Sequence, residues 1–149
     1  MMKDRLVAGG VAGLIAIIIS NIYGLTSKAL GFTDRIFIDF AKVLIMFKPY
    51  KGSLGFIVGE IAILTIGVLW GVVYAYIIKI TSSRYNILKG WGYGLLLWML
   101  LSGFGTIFDL PLFKDIPPHA AINNIIESSI YGLVTAYALS VLDQETKLL

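Results

Sequence analysis

The sequence predicts an all-α integral membrane protein, and three observations carry that prediction. Hydrophobic residues make up 58 % of the 149-residue chain and charged residues only 14 %, against roughly 25 % charged in soluble domains. Mean hydropathy is +0.86. The apolar residues gather into long runs, each able to supply the ~20 residues that cross a hydrocarbon core ~30 Å thick. The full expectation is one domain over 1–149, with four transmembrane helices and one interfacial amphipathic helix after the first span.

The first span is expected over 6–30, with its most apolar stretch at Leu14-Ile15-Ala16-Ile17-Ile18-Ile19. The start, Met1-Met2-Lys3-Asp4-Arg5, has the look of a signal peptide. The apolar run is too long for one, however, and no small-residue cleavage site closes it, so the segment reads as a retained helix. Gly9 and Gly13 form a GxxxG pair that lets another helix approach closely. Gly31 is placed to cap the C-terminus.

The segment 34–48 is too short and too charged to span easily. Arg35, Asp39 and Lys42 share one helical face and the remainder is apolar. That pattern fits an amphipathic helix lying in the interface, or one partly re-entrant. The interfacial placement is the expectation, with Thr33 as N-cap and the three charges toward water. Pro49-Tyr50-Lys51-Gly52-Ser53 forms a turn.

The second span is expected over 54–80. It carries two more GxxxG pairs, Gly55/Gly59 and Gly67/Gly71, and one charge in its core, Glu60. A short loop leads to the third span, 87–109, with Trp91 and Tyr93 as interfacial anchors. Pro111 and Pro117-Pro118 bracket an irregular loop. Pro118 suits the first turn of the fourth helix, where its missing N–H costs nothing. That span, 118–142, contains Glu127 and ends in a short polar tail.

Four spans put both termini on one side. Lys3, Arg5, Lys79, Arg84, Lys89 and Lys147 flank that side, and Lys28, Arg35, Lys42, Lys48, Lys51 and Lys114 flank the other. The totals are equal. The basic N-terminus and the dense cluster in the tight second loop favour cytoplasmic termini.

Several chemistries are excluded. With no cysteine there are no disulfides, zinc–thiolate sites, iron–sulfur clusters or thiol catalysis. The pI near 9.1 comes from basic residues scattered between apolar runs, which suits anionic lipid headgroups rather than nucleic acid. No G-x-S-x-G elbow, P-loop or dinucleotide fingerprint occurs, and the lone His119 has no helical His partner. His119, Asn123 and Glu127 nearly share one face, but they make a poor metal set. The expectation is a non-enzyme with no cofactor and no bound metal.

What remains is the polar inventory inside the membrane. Glu60 and Glu127 enter their spans from the same side and fall ~9–11 Å below that surface. Asn21 and Asn124 fall near the same layer, with Asp109 and His119 above them at the mouth. Two carboxylates in low dielectric cannot both stay charged cheaply. Either at least one is protonated, or a cation or water lies between them. Three readings stay open: a proton or cation site, protonated side chains hydrogen-bonded across helices as structural glue, or a small-molecule pocket or protein-contact surface. The first makes the chain a proton- or cation-coupled transporter or channel, the second an accessory or structural membrane subunit. Four helices enclose little volume, so a path is expected between copies in a homo-oligomer or with a partner membrane protein. The GxxxG pairs serve either packing within the chain or a face between copies, and Gly9, Gly13, Gly67 and Gly71 are the candidate contacts. Tyr-Gly-Leu recurs at Tyr23, Tyr93 and Tyr131, at unequal spacings that point to coincidence.

The strings Lys3-Asp4-Arg5-Leu6-Val7-Ala8-Gly9-Gly10-Val11-Ala12-Gly13, Leu88-Lys89-Gly90-Trp91-Gly92-Tyr93-Gly94 and Ser129-Ile130-Tyr131-Gly132-Leu133-Val134-Thr135-Ala136-Tyr137-Ala138-Leu139 carry a resemblance. Together they resemble a family of small, uncharacterised multipass membrane proteins of clostridial Firmicutes. The resemblance implies a four-helix bundle in a bacterial plasma membrane. It implies no activity and no functional residues.

Overall fold

The structure, a computed structural model, describes residues 4–146. Lys3 and Lys147, counted above among the basic flanks, and the tail beyond Thr146 lie outside the described residues. Five helices follow one another: α1 (Arg5–Ala29), α2 (Phe37–Met46), α3 (Ser53–Thr81), α4 (Asn86–Ile107) and α5 (Pro118–Thr146). All but α2 are long and apolar enough to cross a membrane. Over the described residues their limits follow the expected spans closely. Gly31, at φ +78°, turns the chain out of α1 while the Phe32 N–H donates to the Ser27 carbonyl at 3.0 Å. Pro118 opens α5.

The spans stand in the order α3, α1, α5, α4. Helix α1 packs on α3 and α5, α4 packs on the far side of α5, and α3 scarcely touches α4. Lipid leaves little hydrophobic drive between helices, so close backbone approach supplies the attraction. The GxxxG pair of α1 meets that of α3. A Cβ on Gly13 would overlap the Gly67 carbonyl, and one on Gly71 would overlap the Gly9 carbonyl. At the α4–α5 crossing, Gly90 and Gly94 approach Gly132, Ala136 and Ser128. The glycine faces of α1 and α3 are therefore occupied within the chain, the packing role that is one of the two the sequence leaves open. The Tyr-Gly-Leu strings have a structural reason as well. The Tyr93 hydroxyl donates to the Trp70 carbonyl at 2.7 Å and the Tyr131 hydroxyl to the Gly67 carbonyl at 2.6 Å. Two of the three repeats thus anchor α4 and α5 to α3.

Helix α2 is not interfacial. Residues Phe37 to Ala41 and Val43 are buried. A Cβ on Gly59, six residues into α3, would meet the Ile38 carbonyl at 2.9 Å, whereas Gly55 packs on the Tyr50 carbonyl beyond the end of α2. The helix thus begins about two turns (~11 Å) below the ends of its neighbours and runs back to them. Its first side chain, Phe37, reaches a cavity lined by Ile17, Gly67, Leu97 and Tyr131, which sit near the midpoints of the four spans. Ten residues make ~15 Å, half of a hydrocarbon core. The wedge fits because α3 and α4 meet near their connecting loop, where the Tyr74 and Tyr93 rings meet tilted, with centroids 5.0 Å apart. Toward the other end α2 packs on α3, and the α4–α5 loop covers it through Phe113, whose ring centroid lies 4.8 Å from that of Phe40. The N-cap is Ile36 rather than Thr33, whose hydroxyl instead donates to the Arg35 carbonyl at 2.8 Å.

Candidate functional site

One turn of α1 meets both membrane carboxyls. Asn21 Nδ2 donates to Glu60 Oε1 at 3.0 Å. Ser20 Oγ donates to the backbone carbonyl of Glu127 at 2.9 Å. A Cβ on Gly24 would lie 2.6 Å from Glu127 Oε1, so glycine is what admits that carboxyl. Residues 20–24 cover ~6 Å of helix axis. Glu60 and Glu127 therefore share a layer, on either side of α1.

Glu127 is fully buried, and neither of its carboxyl oxygens completes a hydrogen bond. The backbone N–H of Phe37, at the start of α2, lies toward it. Further unpartnered oxygens occur nearby in the chain: Asn21 Oδ1, Glu60 Oε2 and, one turn before Glu127 on the same face, Asn124 Oδ1. An unpaired buried polar atom costs roughly 1–3 kcal/mol. This layer is thus an acceptor-rich setting that a proton or a water would relieve.

The layer is bounded differently on its two sides. Toward the start of α5, Ser27 Oγ donates to Asn123 Oδ1, and both residues line a surface cavity of about 290 Å³ together with His119. Toward the opposite end lies the mid-bundle cavity of about 70 Å³, walled mainly by apolar side chains.

Other expected members stand apart. Asp109 is exposed and pairs with Lys114 at 2.6 Å. His119 is exposed and lies 3.8 Å from Asp34. Neither belongs to the carboxyl layer itself; His119 stands on the wall of the cavity that it shares with Ser27 and Asn123. Arg35, Asp39 and Lys42 do not face water as a set. Asp39 is only 9 % exposed and is held between Lys28, from the last turn of α1, and Lys42 at 3.0 Å. Its Oδ2 also accepts from the Ile36 N–H at 3.1 Å, which caps α2. Burial pushes the Asp39 pKa up, but hydrogen bonds from Lys28 and Lys42 outweigh it and hold the group below the usual carboxylate range. The hydrogen bond from Arg35 likewise lowers Asp34. Arg35 reaches on to the Leu112 carbonyl at 2.9 Å, tying the two loops together. Among the described residues no three His, Cys, Asp or Glu side chains converge.

Sequence reasoning missed Ser20, Ser27 and the Lys28–Asp39 pair. The serines continue the spacing of Gly13, Ile17, Asn21 and Gly24 along α1, which is the signal that could have found them. Lys28 and Asp39 meet across a reversal of direction that no periodicity reports. Compared with protein-family models, curated proteins and solved structures, the chain has no match.

Proposed function

We propose that this protein moves protons across a bacterial plasma membrane, with Glu127 as the group that takes up and releases the proton and Glu60–Asn21 as its neighbour in the same layer. The observation that carries the reading is the fully buried Glu127 with both oxygens unpartnered. Intramembrane carboxyls are costly and commonly mark ion or proton pathways. A proton suits the site better than a metal ion. The Phe37 N–H and the positive end of the α2 dipole face the carboxyl, and they favour an anion there over a bound cation. Access fits the polar side, through the cavity at His119, Ser27 and Asn123. The apolar side needs a second conformation or a second subunit to open. A second copy would use the outer face of α4, the least buried span, since the glycine faces are taken. The bacterial setting comes from the resemblance, and cytoplasmic termini from Arg5, Arg84 and Lys89 at that end. The reading assigns no catalytic role.

The test is proton flux in liposomes loaded with a pH-sensitive dye. The parent protein is expected to dissipate an imposed gradient, and Glu127→Gln to abolish that flux while leaving the fold intact. Glu60→Gln is expected to reduce it. Flux no greater than in protein-free liposomes would sink the proposal. One observation favours the other reading: the Asn21–Glu60 hydrogen bond joins α1 to α3 as ordinary interhelical glue does. An accessory subunit held together this way shows no flux, and both Gln variants keep the parent's stability.

A further inference from the structure

A second polar site lies at the membrane boundary and uses none of the carboxyl layer. A cleft of about 480 Å³ opens where α1 ends, α2 folds back and α3 begins. Lys28, Arg35, Lys42 and Lys51 line it, against two carboxylates, Asp34 and Asp39. Both carboxylates are already committed. Asp39 bridges Lys28 and Lys42, and Asp34 pairs with Arg35 at 2.8 Å. Lys51 has no ion pair among the described residues. The cleft therefore holds positive charge in excess, and its lysine and arginine side chains at 42 and 35 are only 12 % and 16 % exposed.

The wall beneath is apolar. Phe56 lines the cleft, and Leu54, Ile57 and Ile61 continue outward-facing along α3. A cationic cleft at the end of a span, set above an exposed apolar strip, matches a molecule with an anionic head and acyl chains. A small free anion would use the cations and leave the strip unused.

We propose that this cleft binds the phosphate of an anionic phospholipid, with the acyl chains lying along α3. Lys51 supplies a cation with no competing carboxylate, so it is the residue on which affinity depends most and whose replacement disturbs the fold least.

The experiment uses the purified full-length protein in mild detergent, titrated with phosphatidylglycerol, phosphatidylcholine or inorganic phosphate, and reads thermal stability and lipid adducts by native mass spectrometry. Phosphatidylglycerol is expected to raise the unfolding temperature and to remain bound, and the other two to do neither. Lys51→Gln is expected to weaken phosphatidylglycerol binding about fivefold, the effect of ~1 kcal/mol per basic residue near a lipid surface, and Lys51→Glu to weaken it further. Lys79→Gln, at the opposite end of α3, is the control and keeps the parent's affinity. Equal binding of phosphatidylcholine overturns the proposal, as does phosphatidylglycerol binding unchanged in both Lys51 variants. Stabilisation by inorganic phosphate equal to that by lipid would show a free-anion site instead.

Discussion

Asp39 is the residue that ties the fold-back of the chain to α1. It carries two lysine contacts and the N-cap of α2, so Asp39→Asn removes a charge that two cations share. A loss of about 2–3 kcal/mol is expected, discounted because Lys28 is part exposed, and thermal unfolding in detergent measures it. The pH dependence has a definite sign. The folded state lowers this pKa, so the contribution is fully present above the ordinary aspartate value of about 4 and fades as pH falls through the lower folded value. Parent and Asp39→Asn stabilities are expected to converge in strong acid and to differ most at neutral pH. Gly24 makes a different demand. Gly24→Ala directs a methyl at the flexible end of Glu127, so the carboxyl can move aside. Stability is expected to fall by less than about 1 kcal/mol, while flux, if Glu127 carries it, falls sharply. At this scale the sequence exposed the intramembrane carboxyls and the two asparagines, because a lone acidic residue in an apolar run announces itself. His119 lines the cavity beside Ser27 and Asn123, whereas Asp109 turns outward to Lys114. Both His119 and Asp109 lie at span ends, where the depth count stops and loop geometry takes over.

The helices divide by what their glycines do. Gly71 sits against the Gly13 and Gly9 backbone, which cannot yield as a side chain can. Gly71→Ala is expected to cost about 2–3 kcal/mol through overpacking. At Gly103, on the outer face of α4, an added methyl would find no neighbour within 4 Å, so Gly103→Ala is expected to be neutral or to stabilise by about 0.5 kcal/mol through helix propensity. Reversible unfolding of the two variants side by side checks the contrast, and equal effects would mean that the α1–α3 crossing is looser than its glycines indicate. The four spans were legible because length and hydropathy alone decide them. Helix α2 was not. Its mixed charge and apolar pattern is the same for a helix on the bilayer surface and for one wedged between spans, since in the second case two lysines, Lys28 and Lys42, replace water as the partners of Asp39. Which of the two occurs depends on the gap between α3 and α4, a property of other elements.

For the molecule as a whole, the absence of native cysteine makes single-cysteine labelling a clean test of topology. Ser83→Cys, between α3 and α4, is expected to react with a membrane-impermeant maleimide on one side only. Asp115→Cys and Lys51→Cys are expected to react on the other side. The proposed cytoplasmic termini would place Ser83 inside. Ala41→Cys, on the buried face of α2, is expected to stay unreactive from both sides until the protein is denatured. Ready labelling of Ala41→Cys in the native protein would return α2 to the bilayer surface.

The place that α2 occupies does not exist when α2 is made. Phe113, which covers Phe40, and Glu127, which faces the Phe37 N–H, both leave the ribosome long after it. A ten-residue segment is too short for membrane insertion as a span of its own. During synthesis it is therefore expected to wait at the bilayer surface and to be drawn inward once α4 and α5 have arrived. A nascent chain halted before Phe113 is expected to leave Ala41→Cys open to labelling, and the completed chain to close it.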